Sequence, residues 1–243
     1  MSIWIKICGN TSLEDTQLAV KAGADAVGFV FAPSPRQVTV PEAASIVKHL
    51  ASQVEKIGVF VDAPLDDIYS AVRLCGLTGV QLHSAAGPEM PAKLREHLGS
   101  DLKVLRVVHF DADAADRTFA EIAEHDRNPH VDAVLVDSRT ATAVGGTGVR
   151  FDWVAARSIF STEAKSCKRI VAGGLNAENV AEAIATLQPS GVDVVSGVEA
   201  APGHKDPFKV RAFVDRARAA AKLRRSREAY YVQPSEPGGG GVN

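Results

Sequence analysis

Eight short runs of apolar, mostly β-branched residues recur along the chain, and each is followed by a stretch with helical spacing. The runs are IWIKI (3–7), AVGFVF (26–31), KIGVFV (56–61), GVQL (79–82), KVLRVV (103–108), AVLV (133–136), RIVA (169–172) and DVVS (193–196). Runs of this length suit strands covered on both faces, as in parallel sheets. The intervening stretches fall near 12–22, 41–52, 65–75, 88–98, 112–125, 151–158, 177–187 and 207–222. Several carry start signals. Thr11-Ser12 precedes Glu14-Asp15, and Pro41, Pro88 and Pro207 stand where a first helical turn accepts proline. Eight strand–helix units in 243 residues predict an α/β fold, a closed parallel (β/α)8 TIM barrel in a single domain. A doubly wound open sheet is the alternative. It would carry its glycine-rich phosphate turn after the first strand, whereas the glycine-rich turns here follow the sixth, seventh and eighth.

Composition narrows the function classes. Apolar residues make up 46% of the chain, enough for a large core, and the net charge of −2 gives no broad basic field for nucleic acid. No apolar run reaches the ~18 residues of a membrane span, and the N-terminus lacks the pattern of a signal peptide. The three cysteines, Cys8, Cys75 and Cys167, are too widely spaced for a disulfide framework or a metal-ligand pair. A reducing cytoplasm is the expected setting. The barrel domain is expected over 1–222. Residues 223–243, with a proline and a four-glycine run, read as a mobile tail. Arg224, Arg225 and Arg227 are then the solvent-facing end of the last helix.

In a barrel the chemistry gathers at the carboxyl ends of the strands. Those positions hold Cys8-Gly9-Asn10, Arg36, Asp62, His83, His109, Asp137 and three glycine turns. The turns are Gly145-Gly146-Thr147-Gly148, Gly173-Gly174-Leu175 and Ser196-Gly197-Val198-Glu199. Glycine turns let backbone N–H groups approach an anion, and the last two βα loops are the usual phosphate site of such a barrel. Tight turning alone is the competing account. Strand parity sets Trp4, Lys6 and Cys8 on one face and Ile3, Ile5 and Ile7 on the other, against the helices. Lys6 and Cys8 then point inward. A lysine there needs a carboxylate or an anion, and its charge favours thiolate at Cys8. An inert buried thiol is the alternative. Asp137 ends an apolar strand, either capping a turn or serving as a general acid. Asp193 reads as opening the eighth strand, facing inward as a partner of Lys6 or as part of the site. His83 and His109 do not group with carboxylates at ligand spacing, so no metal is expected. A thiolate, a carboxylic acid and a phosphate cradle suggest proton transfer on a sugar phosphate without a cofactor.

Taken in order, KICG, GNTSLEDTQLAVKAGADAVGFVF, SPRQV, GVFVD, GVQLH, LVDS with GGTGVRFDW, AGGL and DVVSGVE-APGHKD resemble the phosphoribosylanthranilate isomerases of tryptophan biosynthesis, from about Ile3 to Arg218. The resemblance implies an Amadori rearrangement of N-(5-phosphoribosyl)anthranilate to 1-(2-carboxyphenylamino)-1-deoxyribulose 5-phosphate. It makes Cys8 the general base at sugar C2 and Asp137 the general acid at the ring oxygen. It sets Arg36 near the anthranilate carboxylate, which a guanidinium can grip bidentately. The phosphate would rest on Gly173, Gly174, Ser196 and Gly197, with Gly146 and Gly148 nearby. The expected partner is this small sugar phosphate, with no nucleic acid or membrane, on a monomer or homodimer. Val195 departs from the family pattern, and the segment after Lys222 lies outside it. Competing readings are the related isomerase of an aminoimidazole sugar phosphate in histidine synthesis, a thiamine-phosphate-synthase-like transferase, and a silent phosphate-binding barrel. The first tends to use two aspartates, the second needs a set of magnesium-binding carboxylates, and the third would lack the intact Cys8, Arg36 and Asp137.

Overall fold

The structure is a computed structural model that describes residues 3–83, 87–111, 114–137, 153–161 and 167–231. Eight parallel strands, β1 (Trp4–Ile7), β2 (Ala26–Val30), β3 (Glu55–Phe60), β4 (Gly79–Leu82), β5 (Lys103–His109), β6 (Ala133–Asp137), β7 (Lys168–Ala172) and β8 (Gly191–Val194), pair in sequence order. β1 also pairs with β8, in the register Lys6 to Asp193, so the barrel is closed. Helices α1 (Leu13–Ala22), α2 (Val40–Val47), α3 (Leu65–Cys75), α4 (Met90–Leu98), α5 (Ala115–Arg127), α6 (Trp153–Ser161), α7 (Val180–Leu187) and α8 (Pro207–Tyr231) alternate with the strands. A short antiparallel hairpin, β9 (Glu199–Ala201) and β10 (His204–Lys205), follows β8.

The two faces of each strand build two separate cores. Ile5, Ile7, Val27, Phe29, Val80, Val104, Val134 and Val171 belong to the layer between strands and helices, with Ile184, Val210 and Phe213 from α7 and α8. The lumen holds a second, smaller cluster of Ala26, Ile57, Leu105, Val107, Leu135 and Ile170, with Trp4 packed against it. The parity of β1 is therefore as the sequence predicts. The lumen is uneven. β5 to β7 fill it with aliphatic side chains, whereas β1, β2, β4 and β8 contribute Lys6, Gly28, Gln81 and Asp193. Small or polar residues on that side leave room for charged groups.

Helix ends follow the local chemistry. Ser12 caps α1, accepting from the Asp15 N–H at 3.1 Å. Thr39 and Glu42 form a reciprocal capping box on α2, with Pro41 in the first turn. At α4 the proline in the first turn is Pro91, and Pro88 lies before the helix. Two further expectations need correction. β8 spans Gly191–Val194, two residues earlier than the DVVS run, so Asp193 lies near its end rather than at its start. Val195 leaves the extended region (φ −122°, ψ −87°), and Ser196–Val198 form a single 3₁₀ turn. α8 also continues past Lys222 to Tyr231. Arg224 does not simply face solvent, for its guanidinium donates to the Pro189 carbonyl at 3.4 Å. Residues 232–243 lie outside those described.

Candidate active site

Five residues singled out from sequence line one cleft at the carboxyl ends of β6, β7 and β8: Asp137, Gly173, Gly174, Asp193 and Ser196. Val195 also lines it. Asp137 is the last residue of β6 and is buried. Gly173 and Gly174 both take left-handed backbone (φ 84° and 62°), which lets the chain fold back directly after β7. Gly197 does not line the cleft. It supports it, because a Cβ there would sit 1.9 Å from the Leu175 carbonyl oxygen. The two loops thus meet backbone to backbone, leaving main-chain groups at the surface of the cleft. Gly146 and Gly148 lie outside the described residues.

Cys8 follows β1 directly and is buried. Its N–H donates to the Val194 carbonyl at 2.9 Å, which sets it against the strand that forms one wall of the cleft. Its surroundings are polar rather than aliphatic. Lys6 lies beside it, and its Nζ donates to Asp193 Oδ1 and Gln81 Oε1, both at 2.9 Å. Burial alone would lower the Lys6 pKa, but the Asp193 carboxylate and then Cys8 outweigh it and hold the group above its ordinary value. Gly28 makes this crowding possible. A Cβ there would lie 2.5 Å from Cys8 Sγ and 3.0 Å from Lys6 Cε. Asn10, fully buried, ties the top of β1 to β2 by donating to the carbonyls of Ile7 (2.8 Å) and Gly28 (3.2 Å).

The other two cysteines differ. Burial pushes the Cys75 thiol up, and its Sγ donates to the Val40 carbonyl. Burial and the neighbouring Asp126 carboxylate push Cys167 up to about 11. Both are packing thiols in the protonated form at neutral pH.

Arg36, from the loop after β2, is held by Glu199. Its Nε and one terminal nitrogen donate to the two carboxylate oxygens at 2.8 and 2.6 Å. Glu199 also accepts from Lys205 Nζ at 3.0 Å, and Lys205 donates in turn to the Cys8 carbonyl at 2.6 Å. Burial acts to raise the Glu199 pKa, but Arg36 and Lys205 overcome it and the carboxyl falls below its ordinary 4.5. In the sequence reading Glu199 is only the last residue of a glycine turn, Gln81 and Lys205 stand only inside longer motifs, and none of the three has a role. Gln81 was detectable as a polar residue on the inward parity of GVQL. Glu199 and Lys205 flank a Pro-Gly turn, and only the hairpin reveals that they meet.

The closed barrel and the polar cleft at the carboxyl ends of its strands define a (β/α)8-barrel enzyme. The chain belongs to the N-(5′-phosphoribosyl)anthranilate isomerase family, whose model matches residues 5–216. It is 44% identical over 213 residues to the N-(5′-phosphoribosyl)anthranilate isomerase of Pelobacter propionicus, covering 87% of this chain and 94% of that one. Phosphoribosyl anthranilate isomerase from Thermotoga maritima superposes with a TM-score of 0.78 at 34% identity, over 89% of this chain and 99% of that one. A crystal structure of such an isomerase in complex with reduced 1-(o-carboxyphenylamino)-1-deoxyribulose 5-phosphate superposes with a TM-score of 0.74 at 32% identity, with the same coverage.

Two outcomes follow. Replacing Gly28 by Ala forces Cys8 and Lys6 apart, and should cost about 1–3 kcal/mol in urea unfolding; an unchanged midpoint would contradict the packing described. The second concerns pH. Because the folded Glu199 pKa is depressed, its stabilisation is complete above the unfolded value near 4.5 and is lost as pH falls through the folded one. Stabilities of the wild type and Glu199→Gln, measured by urea unfolding, should differ at neutral pH and converge in acid.

Proposed function

We infer that the chain catalyses the Amadori rearrangement of N-(5-phosphoribosyl)anthranilate to 1-(2-carboxyphenylamino)-1-deoxyribulose 5-phosphate, the isomerase step of tryptophan biosynthesis. One observation carries the residue assignment. Cys8, buried beside Lys6, does not itself line the cleft but is bonded through its N–H to Val194, which does, and the cleft's walls include Asp137 and the Gly173-Gly174 and Ser196 turns. Those turns suit a phosphate, and the carboxyl and thiol suit acid and base on the sugar it anchors.

The Asp137 carboxyl donates a proton to the furanose ring oxygen. The C1–O bond breaks as the nitrogen lone pair forms a C1=N Schiff base, and the ring oxygen becomes a hydroxyl. Cys8, as thiolate, takes the proton on C2 and becomes a thiol, the C2–H electrons form the C1=C2 bond of an enolamine, and the C1=N π pair returns to nitrogen and cancels the iminium charge. Tautomerisation moves the C2 hydroxyl proton to C1 and leaves the ketone at C2. Atoms balance without a redox partner. Arg36, clamped by Glu199, is the group for the anthranilate carboxylate. Asp193 lines the cleft while bonded to Lys6, so it contributes to the site chiefly by holding that ammonium near Cys8.

Among the described residues no helix is long and apolar enough to cross a membrane. A cytoplasmic enzyme with a small sugar-phosphate substrate is the setting we assign, and the dimeric Thermotoga maritima enzyme makes a homodimer as open to this chain as a monomer. Loss of substrate fluorescence provides the assay. Cys8→Ala and Asp137→Asn should each lower kcat by about 10²–10⁴-fold while product affinity stays within a few-fold. Normal turnover in both variants would overturn the assignment.

A further inference from the structure

Arg36 presents a difficulty as a receptor for a carboxylate. It already has one, since both Glu199 oxygens are bonded to it at 2.8 and 2.6 Å. A guanidinium neutralised by a bidentate carboxylate is a poor attractor for a second anion. The third member of the cluster resolves this. Lys205 Nζ lies within reach of three acceptors: the Cys8 carbonyl at 2.6 Å, Glu199 Oε1 at 3.0 Å and the Val195 carbonyl at 3.5 Å. Among the described residues three acceptors surround this buried nitrogen, which matches an ammonium with three N–H groups to give; burial lowers its pKa from the ordinary 10.5, and the Glu199 carboxylate opposes that fall. Its side chain is fully buried, and that of Glu199 nearly so. Among these three side chains alone, two cations stand against one carboxylate, an excess of one positive charge. The side chain of Arg36, one-fifth exposed, is the member that reaches solvent.

The hairpin holds this arrangement in place. Glu199 and Lys205 are paired across β9 and β10. Lys205 N–H donates to Asp15 of α1 at 3.1 Å, and Thr11 Oγ1 donates to the Gly203 carbonyl at 2.6 Å. Gly9 lets Arg36 cross the end of β1, since a Cβ there would be 2.8 Å from Arg36 Cδ. One buried cluster therefore joins the loops after β1, β2 and β8.

We propose that Glu199 and Lys205 are positioning residues that set substrate specificity: Glu199 fixes the Arg36 guanidinium, and Lys205 offsets the Glu199 charge so that the cluster keeps one positive charge for the aryl carboxylate. This rests on the assignment of Arg36 to that carboxylate. Lys205 also anchors the carbonyl of Cys8, so the carboxylate clamp and the end of the strand that carries the base share one support.

The test compares dissociation constants for two ligands on the full chain. One is reduced 1-(o-carboxyphenylamino)-1-deoxyribulose 5-phosphate, and the other is its counterpart without the ring carboxylate. Wild type should prefer the first by roughly tenfold or more, the scale of a charged hydrogen bond, and Arg36→Met should abolish the preference. Lys205→Met should reduce it to near unity by weakening the carboxylated ligand alone, and Lys205→Arg should retain it. Glu199→Gln combined with Lys205→Met returns the cluster to one positive charge and should recover most of the preference. A merely structural role would weaken both ligands equally in Lys205→Met and compound the loss in the double variant, and either result overturns the proposal. If Lys205→Met does not fold, Lys205→Gln is read in the same way. If Arg36→Met keeps the wild-type preference, the assignment of Arg36 has failed and the proposal falls with it. If Arg36→Met loses the preference but the Lys205 variants keep it, the proposal alone has failed.

Discussion

The barrel closes on a buried ion pair. Where the first strand meets the last, Lys6 is in register with Asp193, and their side chains bond at 2.9 Å in the lumen. Taking two charges out of water is costly, and such a pair is tolerated only when its remaining hydrogen bonds are met. Gln81 meets one of them. An aliphatic pair would pack that space at less cost, so the charges are better explained by what they adjoin than by stability. They lie beside Cys8, and Asp193 also lines the cleft. Much of the local sequence follows from accommodating them. Gly28 leaves the volume that Lys6 and Cys8 occupy. The aliphatic filling of the lumen is confined to the side formed by β5 to β7, with Ile57 and Ala26 at its margin.

Two charge systems meet at the end of β1 and serve different purposes. Lys6 and Asp193 form a neutral pair beside Cys8, with Gln81 as a further partner of Lys6 and Asp193 also on the cleft wall. Arg36, Glu199 and Lys205 form a cationic cluster above it, tied to the Cys8 carbonyl and reaching solvent through Arg36. The Cys8 thiol therefore lies beside the Lys6 ammonium while its carbonyl is held by Lys205, and the carboxyl of Asp137 stands at the end of β6, at the cleft. The groups we propose as base and carboxylate receptor lie toward β1 and β2, and those we propose as acid and phosphate turns toward β6 to β8. A sugar phosphate bearing an aryl carboxylate would span that division.

The architecture was legible because hydrophobic period and length both report it. Eight runs covered on two faces, with helical stretches between them, admit few topologies, and the parity of IWIKIC alone assigned Lys6 and Cys8 to the lumen. The last strand was misplaced for a physical reason. Val194, Val195 and Ser196 have no strand-breaking chemistry, and the break at Val195 comes just before Gly197 makes its close approach to the Leu175 carbonyl, a contact no local pattern announces. The end of α8 was likewise hidden, since nothing in the sequence after Lys222 marks a stop before Tyr231. The glycine turns and Asp137 were readable from their positions at strand ends. Glu199 and Lys205 were not. Their roles depend on a short hairpin and on Arg36, which lies 163 residues from Glu199 in the chain, and no local pattern encodes that meeting.

The central claim is geometric: a thiol from the first strand and a carboxyl from the sixth address the same sugar. A crystal structure of this chain with reduced 1-(o-carboxyphenylamino)-1-deoxyribulose 5-phosphate tests it most directly. The account predicts Cys8 Sγ roughly 3–4 Å from sugar C2 and an Asp137 oxygen about 2.6–3.2 Å from the hydroxyl derived from the ring oxygen, with the phosphate on the Gly173-Gly174 and Ser196-Gly197 turns. A ligand seated in the cleft with Cys8 screened from C2 by other side chains, or with its phosphate remote from those turns, would contradict it.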